Sequence, residues 1–358
     1  MTQLVRAIVD TRALKKNLET VRRLAPRSRV MAVVKANAYG HGLVPTALAL
    51  ADADGFAVAR LEEGTALRRA GLRHPLLLLE GVLDEAQLYE AAHQDFDVVV
   101  HSRDQIELLA RYAGLYHFRV WMKVDTGMNR LGFRLEDFPE AWRRITKLAS
   151  VAPGTRVMTH LANADVREDP KTAKQLAAFH EAIRGVEAET SIANSAGLLG
   201  WPETHGAWIR PGLLLYGISP ISGSHGQDLG LTPAMTLVTR VIAVRDVKVG
   251  ESVGYGSTWI AKRATIVAIA AAGYGDGYPR NVASGAAVLI HGSPRPLVGR
   301  VSMDMMAVDI TDSPRVQVGD EVVLWGPGLP VEDVAAQAGT IPYELICGVS
   351  QRVLHEIV

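Results

Sequence analysis

Short apolar runs recur between about residue 28 and residue 217, and helical segments separate them. This alternation is typical of parallel strands joined by crossover helices. Stretches such as Ala66–Ala70 and Thr172–Ala182 supply the helical pattern. Eight apolar runs are present: Val30–Val34, Gly55–Ala59, Pro75–Leu79, Asp97–Val100, His117–Val124, Thr155–Thr159, Thr190–Ala193, and Leu213–Tyr216 with the residues that lead into it. Eight strand-helix units predict a TIM barrel.

The segment before these runs has a different pattern. The spacing of apolar residues predicts a helix from Arg12 to Leu24, which Asp10 or Thr11 could cap. Ala7–Val9 then predicts a strand outside the barrel. The predicted buried face of the helix consists of Leu14, Leu18 and Val21.

The pattern changes again after Pro220. The Ser-, Gly- and His-rich stretch Ile221–Gly230 predicts an exposed linker, and β-branched runs such as Thr236–Val244 and Ala286–Ile290 follow it between tight turns. We therefore expect an α/β barrel over residues 11–230 and a mostly β-strand domain over residues 231–358. Residues 1–10 are expected to add a strand to that second domain.

Composition narrows the possible partners. The 38 basic residues balance the 38 acidic ones, so the chain lacks the net positive charge typical of nucleic-acid binders. Cys347 is the only cysteine, which excludes an intrachain disulfide and a multi-cysteine metal site. No signal peptide is visible, and the longest apolar run, Ala264–Ala272, is far shorter than the ~20 residues of a membrane span. We expect a cytoplasmic protein without membrane or nucleic-acid partners.

Polar side chains stand next to several of the predicted barrel strands. TIM-barrel active sites lie at the carboxyl ends of the strands, so these side chains are candidates for one shared site. A polar residue at a strand end is also expected simply because strand ends are exposed to solvent. Solvent exposure alone explains less well why several such groups lie on one rim. The candidates are Lys35 after the first run, Asp125 after the fifth, His160 after the sixth, Asn194 and Ser195 after the seventh, and Arg210 leading into the eighth.

Lys35 lies where an apolar strand runs directly into a glycine-containing turn, within Val33–Gly42. A lysine amine can form a Schiff base with an aldehyde cofactor. Its ordinary pKa of about 10.4 makes it a poor base at neutral pH, so a partly desolvated position would help to activate it. Without its flanking residues, Lys35 would be interpreted as a solvated surface lysine.

The stretch around Lys35 resembles the pyridoxal-phosphate signature of the alanine racemases, and nearly all 358 residues can be followed in the same way. The resemblance implies a fold-type III pyridoxal-phosphate enzyme that interconverts L-alanine and D-alanine and supplies D-alanine for peptidoglycan. Matching blocks occur in order at Lys123–Gly132, Thr159–His160, Asn194–Ala196, Arg210–Gly212, Val253–Gly256, Gly273–Arg280, Gly299–Asp304 and Ile341–Glu344.

The resemblance also implies roles in cofactor binding. Lys35 would hold the cofactor aldehyde, and Arg210 would donate to the pyridine nitrogen. Because arginine stays protonated, it leaves that nitrogen unprotonated, which favours simple proton exchange. Hydroxyls and backbone amides bind phosphate without a full charge, and the implied phosphate site comprises Tyr39, Ser195, Gly212 and Tyr343, with Asn194 also in the cofactor site. For these residues, packing, a turn or a helix cap is the competing explanation.

Racemisation removes the α-proton on one face and returns a proton on the other, so two acid-base groups serve better than one. By resemblance these groups are Lys35 and Tyr255. Tyrosine, with an ordinary pKa near 10, is a poor base unless a neighbour stabilises the phenolate. His160, which lies next to Arg210 in the family, is the expected neighbour; on its own it would be interpreted as a core histidine.

In the family, the tyrosine at the position of Tyr255 reaches the site of the other subunit, so the resemblance implies a head-to-tail homodimer with shared sites. Met303 would place its backbone amide near the substrate carboxylate, and Asp304 would lie beside it. Tyr274 and Tyr343 would narrow the entrance to admit a small side chain. The approach would be lined by Asp165, Arg280 and Arg300, for which plain solvation is the competing explanation.

Arg130 is expected to contact the cofactor's phenolic oxygen and the substrate carboxylate, with Lys123 as its support. In many relatives that lysine is carbamylated, which converts a cation into an anion; the sequence leaves this open here. Ser191 stands where some members have a histidine near Arg210, so we do not assume that the contact to Arg210 is kept here. No metal is expected.

Two other enzymatic functions and one binding function compete with this interpretation. A decarboxylase of the same architecture would carry an acidic residue where this chain has Arg210. A broad-specificity amino-acid racemase remains open, because side-chain selectivity depends on few positions. A pyridoxal-phosphate carrier protein shares the barrel and the lysine but lacks a β domain with an opposing tyrosine.

Overall fold

A computed structural model describes residues 4–112, 115–313 and 315–358. Strand β1 (Arg6–Val9) precedes helix α1 (Thr11–Leu24). The Asp10 carboxylate accepts hydrogen bonds from the backbone amides of Arg12 (2.8 Å) and Ala13 (3.4 Å), so it caps the helix, as one of the two expected caps. Leu14, Leu18 and Val21 are buried as the spacing predicted.

Eight parallel strands close into the predicted barrel. Each strand is short, and most of their residues are buried because helices cover the outside and side chains fill the inside. The strands are β2 (Arg29–Val33), β3 (Gly55–Val58), β4 (Leu76–Leu78), β5 (Asp97–Val100), β6 (Val120–Lys123), β7 (Arg156–Met158), β8 (Thr190–Ser191) and β9 (Trp208–Ile209).

The prediction of the eighth barrel strand was wrong. Leu213–Tyr216 forms a buried 3₁₀ helix, and β9 closes the barrel through Trp208, which pairs with Ser191 on one side and Arg29 on the other. A short apolar run indicates that a segment is buried, but its periodicity alone does not distinguish a strand from a buried helical turn. Arg210 therefore follows the last strand instead of leading into it, which places it on the same rim as Lys35.

Helices connect the barrel strands along the described chain. The helices are α2 (Lys35–Tyr39), α3 (Leu43–Ala49), α4 (Leu61–Arg69), α5 (Glu85–His93), α6 (Arg103–Arg111), α7 (Phe138–Ile145), α8 (Lys171–Ala182) and α9 (Ser195–Gly200). The stretch predicted over residues 172–182 lies within α8, and the stretch over 66–70 covers the end of α4 and its C-cap residue Ala70. None of the described helices is both long and apolar enough to cross a membrane.

The segment expected to be an exposed linker is partly exposed, but it is also anchored. It contains a 3₁₀ helix, Gly226–Leu229. The Glu332 carboxylate accepts hydrogen bonds from the backbone amides of Ser219 (3.0 Å) and Gly226 (2.9 Å), and Asp333 lies 2.8 Å from the His225 ring. These contacts hold the connection against the C-terminal part of the chain.

The C-terminal part is built on one eight-stranded sheet. Its central strand is long and pairs with β1 as well as with later strands, so the first strand of the chain belongs to this sheet and not to the barrel. The elements are β10 (Met235–Val247), β11 (Ser252–Val253), β12 (Trp259–Ile260), β13 (Thr265–Ala270), β14 (Ala287–Ile290), β15 (Ser293–Val298), β16 (Met306–Asp309), β17 (Glu321–Trp325), α10 (Val331–Gln337), α11 (Pro342–Cys347) and β18 (Leu354–Ile357).

Candidate active site

Strand β2 delivers Lys35 into an unusual turn at the carboxyl rim of the barrel. Ala36, Asn37, Ala38 and Tyr39 all have φ angles between 52° and 54°, so α2 is left-handed over four consecutive residues that are not glycine. Each such residue costs about 1–2 kcal/mol because its Cβ crowds the backbone. Neighbouring groups must therefore hold this turn in place.

Four side chains supply that support. The Glu63 carboxylate accepts hydrogen bonds from the backbone amides of Ala36 (2.6 Å), Ala59 (3.0 Å) and Arg60 (3.2 Å). Within the turn, Asn37 Oδ1 accepts from the amide of Leu43 at 2.9 Å. The remaining two contacts come from histidines: His41 Nδ1 lies 2.9 Å from the Tyr39 carbonyl, and His355 Nε2 lies 2.7 Å from the Gly40 carbonyl.

Sequence reasoning missed this support. Glu63 is the third residue of α4, where an acidic side chain commonly caps backbone amides. Its hydrogen bond to Ala36 in the Lys35 turn joins residues that α3 and β3 separate in sequence, so no local pattern indicates it. The two histidines carried no local pattern that indicates their partners.

The turn places Tyr39 beside Gly212. The Tyr39 ring stacks on Tyr216, with centroids 4.9 Å apart, and lies 5.8 Å from the ring of Tyr343. A Cβ at Gly212 would lie 2.6 Å from the Tyr39 hydroxyl oxygen, so only glycine allows this approach without displacement. Ser195 Oγ accepts a hydrogen bond from the Gly212 amide at 2.9 Å. The four residues expected around a phosphate thus lie together.

Two further residues at this cluster have structural roles. Asn194 Oδ1 accepts a hydrogen bond from the Gly197 amide at 2.9 Å, so its side chain caps α9 at the edge of the site. Tyr216, which no motif indicated as a site residue, anchors the cluster because its hydroxyl donates to the Val33 carbonyl at 2.9 Å.

Arg210 is buried on the same rim. Its Nη1 donates to Ser191 Oγ at 2.5 Å, and its Nη2 donates to the carbonyls of Thr159 (2.6 Å) and Ile192 (3.3 Å). The contact with Ser191, which was not assumed, therefore exists. No carboxylate pairs with Arg210 in the described parts of the chain, and burial lowers its pKa to about 10.

A cluster of positive groups surrounds Arg210. Burial, followed by the positive charges of Arg210, Arg130 and Lys35 in that order, lowers the pKa of the Lys123 ammonium to about 8. Burial and then Arg210 hold the pKa of His160 well below its ordinary value, and the His160 ring nitrogen Nδ1 lies 3.5 Å from Arg210 Nη2. At neutral pH, His160 is therefore uncharged, and the rim favours an anionic ligand.

Other side chains arrange the rim around this cluster. The Gln175 amide donates to the His160 carbonyl at 3.0 Å and accepts from the Ala162 amide at 2.8 Å, which fixes the backbone after β7. The Asp125 carboxylate accepts from the amides of Gly127 and Asn129, so it orders the loop that carries exposed Arg130. Residues 4–112, 115–313 and 315–358 contain no group of His, Cys, Asp or Glu placed to hold a metal.

Family models match most of the chain. Residues 9–220 match the model described as "Alanine racemase, N-terminal domain", and residues 234–357 match "Alanine racemase, C-terminal domain". The chain belongs to the alanine racemase family. The family inferred from the sequence motifs is thereby confirmed, as is the barrel-plus-β architecture.

Curated relatives and solved structures agree with this assignment. An alanine racemase from Nitrosococcus oceani is 51% identical over 97% of both chains. The crystal structure of a biosynthetic alanine racemase from Pseudomonas aeruginosa has a TM-score of 0.97 and 41% identity, with 100% of both chains covered. An alanine racemase from Bartonella henselae, described with covalently bound pyridoxal phosphate, has a TM-score of 0.90 and 29% identity over 100% of both chains.

The remaining candidates in this alanine racemase family member lie on loops of the C-terminal sheet. Tyr255 is 68% exposed, Met303 53% and Tyr274 40%. Within the described structure, Tyr255 forms no hydrogen bond, ion pair or ring contact with Lys35 or with any other residue. Arg280, Arg300 and Asp304 are also exposed.

The residues expected at the entrance fall into two groups. Burial and then the negative charge of the exposed Asp165 carboxylate raise the pKa of the Tyr343 hydroxyl to about 12, so Asp165 acts electrostatically on Tyr343. On the C-terminal sheet, Arg352 donates to Asp276 (2.8 Å), to Asp304 and to the Met303 carbonyl (3.4 Å). Arg352 thereby joins the loop of Tyr274 to the loop of Met303, a role that no motif indicated.

Proposed function

We propose that this protein is a pyridoxal-phosphate-dependent racemase that interconverts L-alanine and D-alanine. The observation that carries the proposal is the convergence of Lys35, the Tyr39–Gly212 cluster and buried Arg210 on one barrel rim, in a chain of the alanine racemase family. Sequence resemblance selected these residues one by one, and their proximity in the fold supports a single site.

The donor set on the rim fits pyridoxal phosphate. Gly212 leaves a cradle that a Cβ would fill, beside the hydroxyls of Tyr39 and Ser195, which suits a phosphate group. Buried Arg210 has no carboxylate partner in the described chain and can donate to a ring nitrogen. Lys35 would hold the aldehyde carbon, and the remaining contacts would come from Tyr343 to the phosphate and Arg130 to the phenolic oxygen.

When bound, the cofactor withdraws electrons from the α-carbon of the amino acid and thereby eases removal of its proton. Arg210 controls how strongly it does so. With a pKa of about 10, Arg210 remains a cation at neutral pH and donates a hydrogen bond without giving up its proton. This moderates electron withdrawal, which favours return of a proton to the α-carbon over other outcomes.

Lys35 and Tyr255 would exchange the α-proton on opposite faces of the substrate. The Lys35 amine takes or gives the proton on one face, and Tyr255 of the partner subunit acts on the other. His160 is neutral because burial and Arg210 disfavour its charged form, so it can accept a hydrogen bond instead of adding another charge. Arg130 would orient the substrate carboxylate, together with the backbone amide of Met303.

A head-to-tail homodimer would complete the site. Tyr255 is 68% exposed and the described chain gives it no partner, and Tyr274, Met303 and Asp304 are exposed on neighbouring loops. In a dimer, these loops would cover the rim of a second chain. Mixing inactive Lys35→Ala and Tyr255→Phe subunits should recover activity, because one of the two sites in a heterodimer then carries neither substitution. Proven heterodimers without activity would argue against shared sites.

Lys123 fits a carbamylated lysine. Its amine is buried among Arg210, Arg130 and Lys35, and its pKa of about 8 leaves an appreciable neutral fraction at neutral pH. The neutral nitrogen would attack carbon dioxide, form an N–C bond and release one proton to solvent. The resulting carboxylate would offset the surrounding positive charge and hold Arg130 in place.

The first test of the proposal is substitution of Lys35. The purified protein should be yellow and should racemise L-alanine, and Lys35→Ala should lose both the colour and the activity. Lys15→Ala, which removes an exposed lysine on α1, should change neither. A fully active Lys35→Ala protein would contradict the proposal.

A further inference from the structure

His41 and Trp325 each carry a buried polar nitrogen that lacks a hydrogen-bond partner in the described structure. The atoms are His41 Nε2 and Trp325 Nε1, in side chains that are 0% and 1% exposed. Buried polar groups without partners are rare in folded proteins, and each one calls for an explanation. His41 lies two residues after the end of the Lys35 turn at Tyr39, whereas Trp325 ends β17 of the C-terminal sheet.

Both side chains line the same small cavity, together with Tyr216, Gly326 and Glu332. Its volume is about 10 Å³, which is close to the space that one water molecule needs. The cavity lies between the barrel and the C-terminal sheet, and Tyr216 separates it from the Tyr39 ring, on which Tyr216 stacks.

The two nitrogens have complementary hydrogen-bonding roles. His41 Nδ1 lies 2.9 Å from the Tyr39 carbonyl, which can only accept, so Nδ1 carries the hydrogen. Burial lowers the pKa of His41 to about 4, so the ring is neutral and Nε2 is an acceptor. The indole Nε1 of Trp325 can only donate. One water can accept from Trp325 and donate to His41.

We propose that a single buried water bridges Trp325 Nε1 and His41 Nε2, and that His41 is thereby a positioning residue for the Lys35 turn. The water donates to Nε2 and so stabilises the tautomer in which Nδ1 donates to the Tyr39 carbonyl. The His41 ring also packs against Tyr216, with centroids 4.6 Å apart. The same side chain therefore supports the left-handed backbone and the tyrosine stack of the phosphate cluster. Its effect on cofactor binding rests on the proposed function above.

The water itself is tested without reference to activity. A crystal structure of the full chain, at a resolution that shows ordered waters, should contain one water within about 2.7–3.2 Å of both nitrogens. Trp325→Phe keeps a ring in place but removes the donor, so this water should be lost or displaced. A cavity without a water in the wild-type protein, or a water that contacts only one of the nitrogens, would overturn the proposal.

The tautomer is tested by the ¹⁵N resonances of the imidazole rings, with the His41 signal assigned by its absence from His41→Asn. The wild-type protein should show hydrogen on Nδ1, and Trp325→Phe should keep this tautomer but shift the Nε2 resonance, because the water that donates to Nε2 is lost or displaced. Hydrogen on Nε2 in the wild type, or an unchanged signal in Trp325→Phe, would contradict the bridge.

Two further substitutions separate the roles of the two ring nitrogens. Asparagine at position 41 can place its amide near the site of Nδ1 and donate to Tyr39, whereas glutamine reaches the site of Nε2 and loses the Tyr39 bond. Titration of apoprotein with pyridoxal phosphate should give about fivefold weaker binding for His41→Gln, the ratio that one neutral hydrogen bond supplies, and near wild-type binding for His41→Asn. Equal weakening in both would refute the positioning role. If no variant binds the cofactor, the proposed function fails, while the structural and ¹⁵N results still decide the bridge.

Discussion

Gly212→Ala inserts one methyl group into the proposed phosphate pocket and so tests how that pocket is built. The new Cβ would lie 2.6 Å from the Tyr39 hydroxyl oxygen and 3.1 Å from its Cζ atom, whereas ordinary contacts begin at 3.4 Å. The φ angle of Gly212 is −116°, on the side of the Ramachandran map that L-residues occupy. The contact with Tyr39 is therefore the main consequence of the substitution.

Tyr39 has little freedom to move away. Its ring is stacked on Tyr216 at 4.9 Å and packed against Tyr343 at 5.8 Å. Overpacking a filled site costs about 1–3 kcal/mol, which corresponds to a roughly 5- to 150-fold change in a binding constant. We expect the dissociation constant for pyridoxal phosphate to rise within this range, because the Tyr39 hydroxyl is displaced from the phosphate.

The assay is a fluorescence titration of apoprotein with pyridoxal phosphate. Gly200→Ala is a matched control on α9, where the new Cβ would meet its nearest neighbours at the ordinary distances of 3.6 and 3.8 Å. Its affinity should equal that of the wild type. Unchanged affinity in Gly212→Ala, or an equal loss in both variants, would refute this account of the pocket.

Three further predictions concern the charged groups. Arg210→Lys replaces a guanidinium that donates three hydrogen bonds by a single ammonium. The fold should be retained and kcat should fall by about tenfold or more, and an unchanged kcat would contradict the role of Arg210. Asp97→Ala removes the carboxylate that accepts hydrogen bonds from Arg119, Trp121 and Arg156 at the opposite end of the barrel. Urea denaturation should show a free energy of unfolding lower by about 3–5 kcal/mol, whereas kcat of the folded enzyme should not change. Enzyme stripped of carbon dioxide should regain activity faster as pH rises towards about 8 at fixed dissolved carbon dioxide, because only the neutral Lys123 amine reacts; a pH-independent rate would argue against carbamylation.

The sequence predicted the architecture well where burial and strand formation coincide. Seven of the eight predicted barrel strands are present, because short apolar runs between helices are typical of buried parallel strands. The strand prediction for Leu213–Tyr216 was wrong because this segment is equally apolar and fully buried but forms a 3₁₀ helix. The pattern of hydrophobic residues reported its burial and not its backbone conformation.

The candidate site shows a similar division. Motifs selected Tyr39, Ser195 and Gly212, and the fold brings them into contact. They could not reveal that Tyr39 ends a left-handed turn, since non-glycine residues adopt this conformation only when distant partners such as Glu63 hold it. Long-range hydrogen bonds of this kind leave no periodic signal in the sequence.

Racemisation of a panel of L-amino acids by the purified holoenzyme, followed by circular dichroism, decides whether this protein is an alanine racemase. We predict that the signal of L-alanine decays to zero as the two enantiomers equalise, that bulkier amino acids react much more slowly, and that Lys35→Ala is inactive. Comparable rates across the panel would indicate a broad-specificity racemase. A stable L-alanine signal with fully loaded cofactor would contradict the proposed alanine racemase activity.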